Sequence, residues 1–510
     1  MTLEALLKNT EYELVKGKLD RPVTSLTHDS RKVKDGTAFV CISGTVRDAH
    51  DFIPEAIGKG ASAIIIEKDV EEINGLSDLL KMNDTSNVTF VKVKKARRAL
   101  AYMAAAFFGN PASELITIGV TGTKGKTTTT CMIKEMLERA GIPTGLIGTI
   151  EIVIGDEVIH ASNTTPEPYS LQNYMRRMVD LGLKAVVMEV SSQGLMLDRV
   201  AGFTFDYGIF TNLEPDHIGE NEHKDFEDYM YWKSTLFKQC RTGIVNLDSP
   251  YVENILKDHT CEVETFGLNE KADFRAENMK FRHNGSLLET SYHVAGKMDF
   301  DVDFYMPGMF SVYNSLTAIA LCSHFGLKPD VINKALTEVK VKGRTEIVEI
   351  SSKVKNAPAF TVMIDYAHNA MALESLLTTI RAYEPRRIVC LFGCGGNRAK
   401  SRRFEMGEVS SKLADLTIVT SDNPRFEEPE DIINDIITGV KKASGEYVTI
   451  VDRREAVKYA IENAKEGDVI ILAGKGHEDY QEIKGVKYHM DERELLFDAV
   501  DAINKEREGQ

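Results

Sequence analysis

No apolar run in this chain approaches the ~20 residues that a helix needs to cross a bilayer, so no helical membrane span is expected. The first residues, MTLEALLKNTEYELVKGK, lack the apolar centre of a signal peptide. Basic excess is missing too: 62 Lys and Arg stand against 77 Asp and Glu, for a net charge of −15. Nucleic acid wants a basic face, and none is expected as a partner. A small anionic substrate stays open, because local Lys, Arg and helix N-termini can hold one. Cysteine is sparse, with seven scattered over 510 residues. An odd number in a long chain points to a reducing compartment, and a cytoplasmic location is the expectation. Cys390 and Cys394 have no second pair nearby, so zinc is not expected there. Solenoid-period repeats are absent.

What is present describes an ordinary globular protein with ample core, 43% hydrophobic and 27% charged. At roughly 100–200 residues per domain, the length asks for about three. Residues 1–109 read as a first mixed α/β unit, closed by the basic helix KVKKARRALAYMAAAFFG and the breaker Gly109-Asn110-Pro111. Residues 110–340 and 341–510 read as two further α/β units.

The stretch that organises the chain is ITIGVTGTKGKTTTTCMIKEMLERA, residues 116–140. Apolar β-formers lead into Gly122-Thr123-Lys124-Gly125-Lys126-Thr127-Thr128, and Ile133, Met136, Leu137 and Ala140 then recur at helical spacing. Strand, glycine-rich turn and helix make a phosphate cradle: glycines let backbone N–H groups approach an anion at the positive end of a helix. Lys126 would reach the terminal phosphates of a nucleotide and the Thr127 hydroxyl would hold Mg²⁺. The common P-loop spacing wants glycine at 120, where Val120 stands.

Polar residues then gather at the C-terminal tips of apolar strands, where open α/β sheets bind ligands. Ala185–Met188 ends in Glu189, a fitting Mg²⁺ ligand beside a P-loop. A strand at 207–212 precedes Asp216-His217. In the third unit, strands at 362–365, 388–392, 416–420 and 469–472 each run into such a loop. These are Asp365-Tyr366-Ala367-His368, Gly393-Cys394-Gly395-Gly396-Asn397-Arg398, Ser421-Asp422-Asn423-Pro424-Arg425 and Gly474-Lys475-Gly476-His477-Glu478. Four loops of this kind would line one crevice.

Taken together, these motifs resemble the Mur ligases over nearly the full length, most closely the MurE (UDP-N-acetylmuramoyl-tripeptide synthetase) type. The likeness rests on Asp29-Ser30-Arg31, the P-loop, Asn163-Thr164-Thr165-Pro166, Met188-Glu189-Val190-Ser191-Ser192, Asp216-His217, Gly343-Arg344-x-Glu346 and the four loops above. It implies an α/β fold of three domains, with a central P-loop sheet that is mostly parallel and a Rossmann-like C-terminal domain. It implies a cytoplasmic ATP-dependent ligase of peptidoglycan synthesis, serving cell-wall biogenesis, cell shape and cell division, that adds meso-diaminopimelate to UDP-MurNAc-L-Ala-D-Glu through an acyl phosphate. A monomer with no membrane or nucleic-acid partner is expected. The alternatives are another amino acid such as L-lysine or L-ornithine, a different carboxylate acceptor, or a nucleotide-binding scaffold that has lost turnover.

The resemblance also implies roles. Lys126 and Thr127 would hold phosphates and a first Mg²⁺, Glu189 would be a further metal ligand, and His217 would bind a second Mg²⁺. Lys233 matches the lysine that reacts with CO₂ to give a carbamate, an anion that a metal site can use. Asn314, Arg344, Asp365 and His368 look like nucleotide contacts. Ser30, Asn163, Thr164, Thr165, Ser191 and Arg199 would hold the UDP-MurNAc end. Arg425 of the Asp-Asn-Pro-Arg loop goes with meso-diaminopimelate, whose far carboxylate suits a bidentate guanidinium. Arg398, Asp422, Asn423, Gly474 and Glu478 would complete that pocket, with Glu478 toward the distal ammonium. Departures from the family pattern fall at Gln193, Leu197, residues 218–223, Ser311 and Asn397.

Overall fold

Short β-branched runs separated by glycines make the first sheet. Strands β1 (Tyr12–Lys16), β2 (Ser25–Thr27), β3 (Thr37–Val40), β4 (Ala61–Ile66) and β5 (Thr89–Val93) lie in the order β1-β5-β4-β3-β2, parallel except for β1. Ala99, Leu100, Met103 and Ala104 of the helix Ala96–Phe107 pack on one face with Leu3, Leu6 and Val91. Ile53, Ala56 and Leu76 cover the other. The chain here is a computed structural model that describes residues 1–44, 47–82, 86–216, 218–219 and 222–508.

Two units make it up: residues 1–272 with 320–325, and residues 273–319 with 326–510. The first sheet belongs to the first unit. So do β6 (Ile116–Thr121), β7 (Thr144–Ile147), β8 (Glu151–Ile154), β9 (Glu157–His160), β10 (Ala185–Glu189), β11 (Phe205–Phe210), β12 (Cys240–Asn246) and β13 (Glu262–Gly267). Within that unit they run in the order β13-β12-β11-β6-β10-β7-β8-β9. The pairings from β13 to β7 are parallel, and β8 and β9 fold back as an antiparallel edge. Buried on both faces, the central strands are almost continuously apolar, as parallel sheets require. The strand expected over 207–212 ends two residues earlier, because Thr211 and Asn212 leave the ladder to bond the P-loop.

The second unit opens with the antiparallel strands β14 (Phe274–Asn284), β15 (Leu287–Gly296) and β16 (Phe300–Phe304). Tyr383 ties them to the rest of that unit: its hydroxyl lies 2.6 Å from Thr290 Oγ1 and accepts from Gly308 N–H at 2.8 Å. Its main sheet has the order β17-β18-β22-β19-β20-β21. These strands are β17 (Glu346–Ile347), β18 (Thr361–Asp365), β19 (Arg387–Phe392), β20 (Leu416–Val419), β21 (Glu446–Thr449) and β22 (Asp468–Ala473). All pairings but β17–β18 are parallel. The chain enters at β18, runs outward from β19 to β21, then returns to insert β22 between β18 and β19. The loops after β18, β19, β20 and β22 thus share one edge. A hairpin of β23 (Tyr480–Ile483) and β24 (Val486–His489) follows the last of them.

Candidate active site

The P-loop forms as its residue types require. The helix Lys126–Arg139 starts behind Gly125, which adopts φ +84°, and Gly122 sits at φ +149°. A Cβ on Gly122 would lie 2.0 Å from Thr211 Oγ1, so only glycine fits. The residues just past β11 set the loop's shape. Thr211 donates its hydroxyl to the Lys124 carbonyl at 2.7 Å. The Asn212 side chain accepts from Lys124 N–H at 2.8 Å and donates to the Lys124 carbonyl at 3.0 Å. Lys126 Nζ donates to the carbonyls of Gly122 (2.8 Å) and Thr123 (3.0 Å).

One strand over, the Glu189 carboxylate takes three hydrogen bonds, two at Oε1 and one at Oε2. Thr127 donates its hydroxyl to Oε1 at 2.9 Å, Thr149 N–H to Oε1 at 2.8 Å, and the Thr149 hydroxyl to Oε2 at 2.8 Å. Thr149 Oγ1 also lies 3.1 Å from Thr164 Oγ1. Beyond it, Thr165 is buried, donates to the Glu189 carbonyl at 3.0 Å and accepts from Ser191 N–H at 2.9 Å. Arg199 closes this loop through the Thr165 carbonyl at 3.0 Å and Glu167 at 2.7 Å. Thr164, Thr165, Ser191 and Arg199 therefore form one network that reaches Glu189. Asn163 is exposed beside it. Ser30 starts a short turn capped by Asp29, whose carboxylate also holds Arg31.

Lys233 is 1% exposed and donates to the Gly122 carbonyl at 2.9 Å, with Nζ 4.5 Å from the Tyr229 ring centroid. Burial and the neighbouring Lys126 hold its pKa well below the ordinary lysine range, against the pull of Asp216. Such a lysine gives up its proton more readily than a free one, and the amine so formed is a nucleophile. His223 is fully buried, with Nε2 2.9 Å from Ser192 Oγ and Nδ1 3.0 Å from Asp228 Oδ2. His217 lies outside the described residues.

In the second unit, Gly343 adopts φ +69°, and a Cβ there would meet His477 N at 2.1 Å. The following Arg344 has its guanidinium carbon 5.0 Å from the Tyr366 ring centroid. Asp365 accepts from Thr345 N–H (2.7 Å) and Ala367 N–H (2.8 Å); desolvation raises its pKa against these donors and Arg344. His368 is exposed, with its ring 4.6 Å from that of Tyr366 and Nδ1 2.8 Å from the Tyr366 carbonyl. Asn314 is buried in the helix Met309–Ser323.

The loops after β19, β20 and β22 lock together. Asn423 donates to Glu478 Oε2 at 2.8 Å, and the buried Lys475 reaches the same oxygen at 3.2 Å and Asn423 Oδ1 at 3.3 Å. Gly474 donates to the Asp365 carbonyl at 3.0 Å, beside Asp422. Arg425 lies across the glycine loop, its Nη1 donating to the Gly396 carbonyl at 2.7 Å. A Cβ on Gly396 would stand 2.0 Å from the Pro424 carbonyl, so that glycine lets the two loops touch. Arg398 is exposed at the rim.

Family profiles match the chain in three blocks: the Mur ligase family catalytic domain over residues 22–108, the Mur ligase middle domain over 120–322, and the Mur ligase glutamate ligase domain over 343–476. The chain belongs to the Mur ligase family. It is 43% identical to the UDP-N-acetylmuramoyl-L-alanyl-D-glutamate–2,6-diaminopimelate ligase of Clostridium perfringens, over 98% of this chain and all of that one. A protein of the same name from Caldanaerobacter subterraneus is 41% identical over 97% and 98% of the two chains. Among solved structures, a ligase of that name superposes with TM-score 0.72 at 25% identity, covering 98% of this chain and 99% of its own.

The residues of this Mur ligase fit the groups expected of it. The Thr127 hydroxyl gives its hydrogen to Glu189, which leaves its oxygen lone pairs for a hard cation beside a carboxylate. The glycine-formed loop sits at the N-terminus of a helix of 14 residues, as a phosphate site needs. Three contributors escaped the sequence reading. Thr149 lies 40 positions from Glu189 and belongs to none of the motifs. Lys475 was visible only as part of a loop. The β23–β24 hairpin lies beyond the segment that the family's glutamate ligase profile matches.

Proposed function

We propose that this Mur ligase joins meso-diaminopimelate to UDP-MurNAc-L-Ala-D-Glu with consumption of ATP. The carrying observation is the full-length likeness to ligases of that name, together with Arg425 in its Asp-Asn-Pro-Arg loop. The acceptor carboxylate takes the terminal phosphoryl of ATP and ADP leaves. The amine of the incoming amino acid then attacks the acyl carbon, phosphate departs, and an amide has formed. Little covalent work falls to the protein, so positioning and charge neutralisation carry the rate.

Lys126 and the loop 122–128, through the N–H groups at the start of its helix, would hold the phosphates, with Asn314, Arg344, Asp365 and His368 completing the nucleotide contacts. Thr127 and Glu189 would hold Mg²⁺, and Lys233 with His217 a second ion. Bound Mg²⁺ would neutralise charge building on the transferred phosphoryl group. Lys233, once neutral, can add to CO₂: a C–N bond forms as one C=O π bond opens onto oxygen, an N–H proton leaves to solvent, and the neutral amine becomes a carbamate anion. Ser30, Asn163, Thr164, Thr165, Ser191 and Arg199 would take the nucleotide-sugar end. Arg425 would clamp the far carboxylate of diaminopimelate, with Arg398, Asp422, Asn423, Gly474 and Glu478 around it. Residues 1–109, 110–340 and 341–510 would divide these tasks in a cytoplasmic monomer. No helix among the described residues is long and apolar enough to cross a membrane.

Phosphate release from ATP with UDP-MurNAc-L-Ala-D-Glu tests the reading, with meso-diaminopimelate, L-lysine or L-ornithine added in turn. Release only with diaminopimelate is expected. Release with another amino acid would keep the ligase and overturn the pocket, and no release with any would send the acceptor assignment back to Gln193 and Leu197.

A further inference from the structure

The hairpin β23–β24 touches the Asp-Asn-Pro-Arg loop at nearly every residue of its first strand. Gln481 donates its side-chain amide to the Asp422 carbonyl at 2.7 Å and to Ser421 Oγ at 3.2 Å. Glu482 N–H donates to Asn423 Oδ1 at 2.9 Å, and the Glu482 carbonyl accepts from Arg425 N–H at 2.9 Å. Lys484 N–H donates to the Arg425 carbonyl at 2.6 Å. Arg425 thereby joins the edge of the hairpin as an isolated bridge opposite Ile483.

This pairing holds Arg425 in a conformation that it would not choose. Its φ is +53°, in the left-handed region, where a long non-glycine side chain is strained and stays only when its surroundings impose it. The side chain is held as firmly. Glu482 Oε2 accepts from Arg425 Nε at 3.1 Å, while Nη1 is spent on the Gly396 carbonyl. Both partners are about one-quarter exposed, 22% and 24%, so the ion pair is shielded from full solvent screening. A guanidinium is a planar fork. Fixing Nε from one side and Nη1 from another fixes the plane, and with it the direction in which the Nη2 edge faces.

We infer that Glu482 is a positioning residue for amino-acid selection: it aims the guanidinium of Arg425 at the far carboxylate of the incoming diamino acid. The inference rests on the reading of Arg425 as that carboxylate's clamp. Glu482 touches no substrate on this account and acts through Arg425 alone. Removing its side chain leaves the backbone bridge in place and frees only the fork.

The test uses the full chain and phosphate-release kinetics with Glu482→Ala, Glu482→Gln, Arg425→Ala and the Arg425→Ala/Glu482→Ala double variant. Glu482→Ala should raise KM for meso-diaminopimelate about tenfold or more while KM for ATP stays within about threefold. Glu482→Gln still offers Nε an acceptor and should fall between; it carries the test if the alanine variant fails to fold. The double variant should be no worse than Arg425→Ala, because the two residues act as one unit. An Arg425→Ala that raises the diaminopimelate KM beside a Glu482→Ala that does not would overturn the inference and leave the clamp standing. Additive losses in the double variant would overturn it too. An Arg425→Ala with unchanged diaminopimelate KM would remove the clamp itself, and the inference with it.

Discussion

Lys126 and Lys233 share one acceptor: their ammonium nitrogens lie 2.8 and 2.9 Å from the carbonyl oxygen of Gly122. Two cations this close repel, and the buried one gives up its proton more readily. Burial, the larger cause, and this repulsion both lower the pKa of Lys233 and make its amine form easier to reach. Lys126→Ala should lower turnover by ~10²-fold or more, as removal of a preorganised charge at a transferring phosphoryl group does. Phosphate release near the wild-type rate would sink the P-loop assignment.

Lys233 makes a prediction about stability as well as rate. Its folded pKa lies well below the ordinary lysine range, because burial strips its water and Lys126 is beside it. The unfolded chain keeps that proton up to about pH 10.4. Between the two values unfolding takes up a proton, so stability rises with pH through that window. Below the folded value both states are protonated and the full burial penalty is present. Lys233→Met keeps the volume without the charge, and Gly122 retains its bond from Lys126. In bicarbonate-free buffer the variant should be inactive yet melt about 1–3 °C higher near neutral pH, with the gain shrinking toward pH 10. A variant that melts lower at every pH would contradict a destabilising buried lysine.

Much of this was legible in the sequence, for a physical reason. The P-loop, Glu189 and the four loops of the second unit are each set by a strand, its tip and the residues just after it, and such information is local. Val120 looked like a flaw in the P-loop pattern, yet it sits in β6 and the glycine that matters is Gly122, against Thr211. Strand ends slipped where tertiary bonds compete with the ladder, as at Thr211 and Asn212. Thr149, the Ser192–His223–Asp228 chain and Glu482 were not legible, since each acts through a contact between residues far apart in sequence and carries no spacing of its own. The tie between residues 273–319 and the C-terminal sheet was not legible for the same reason: Tyr383 binds residues 290 and 308 across some 75 positions or more.

Thr149 offers the cleanest test of the metal site. Its hydroxyl is one of three donors on Glu189, and valine copies its shape without that donor. A hydrogen bond to a charged group is worth about 1.5–3 kcal/mol. Thr149→Val should therefore raise the Mg²⁺ concentration for half-maximal turnover about tenfold or more, with the amino-acid KM unchanged. Thr149→Ser should restore it. An unchanged Mg²⁺ titration would show that the backbone N–H of Thr149 and the Thr127 hydroxyl suffice to hold the carboxylate.

Arg453 and Glu492 carry the last prediction, because both are wholly buried and ion-paired, with Nε donating to Oε1 at 2.9 Å. The same guanidinium donates to the Ser421 carbonyl at 3.3 Å and the Ala473 carbonyl at 3.2 Å, the residues that lead into Asp422 and Gly474. It is thus a brace beneath two loops of the amino-acid pocket. Removing one member of a buried pair strands the other charge and costs about 3–5 kcal/mol, whereas replacing both by apolar groups can cost little. Arg453→Met should lose about that much in urea unfolding, and Arg453→Met/Glu492→Leu should recover most of it. The double variant would still lack donors for the two carbonyls, so its diaminopimelate KM should stay raised after stability has returned. Recovery of both together would mean that the brace acts through stability alone.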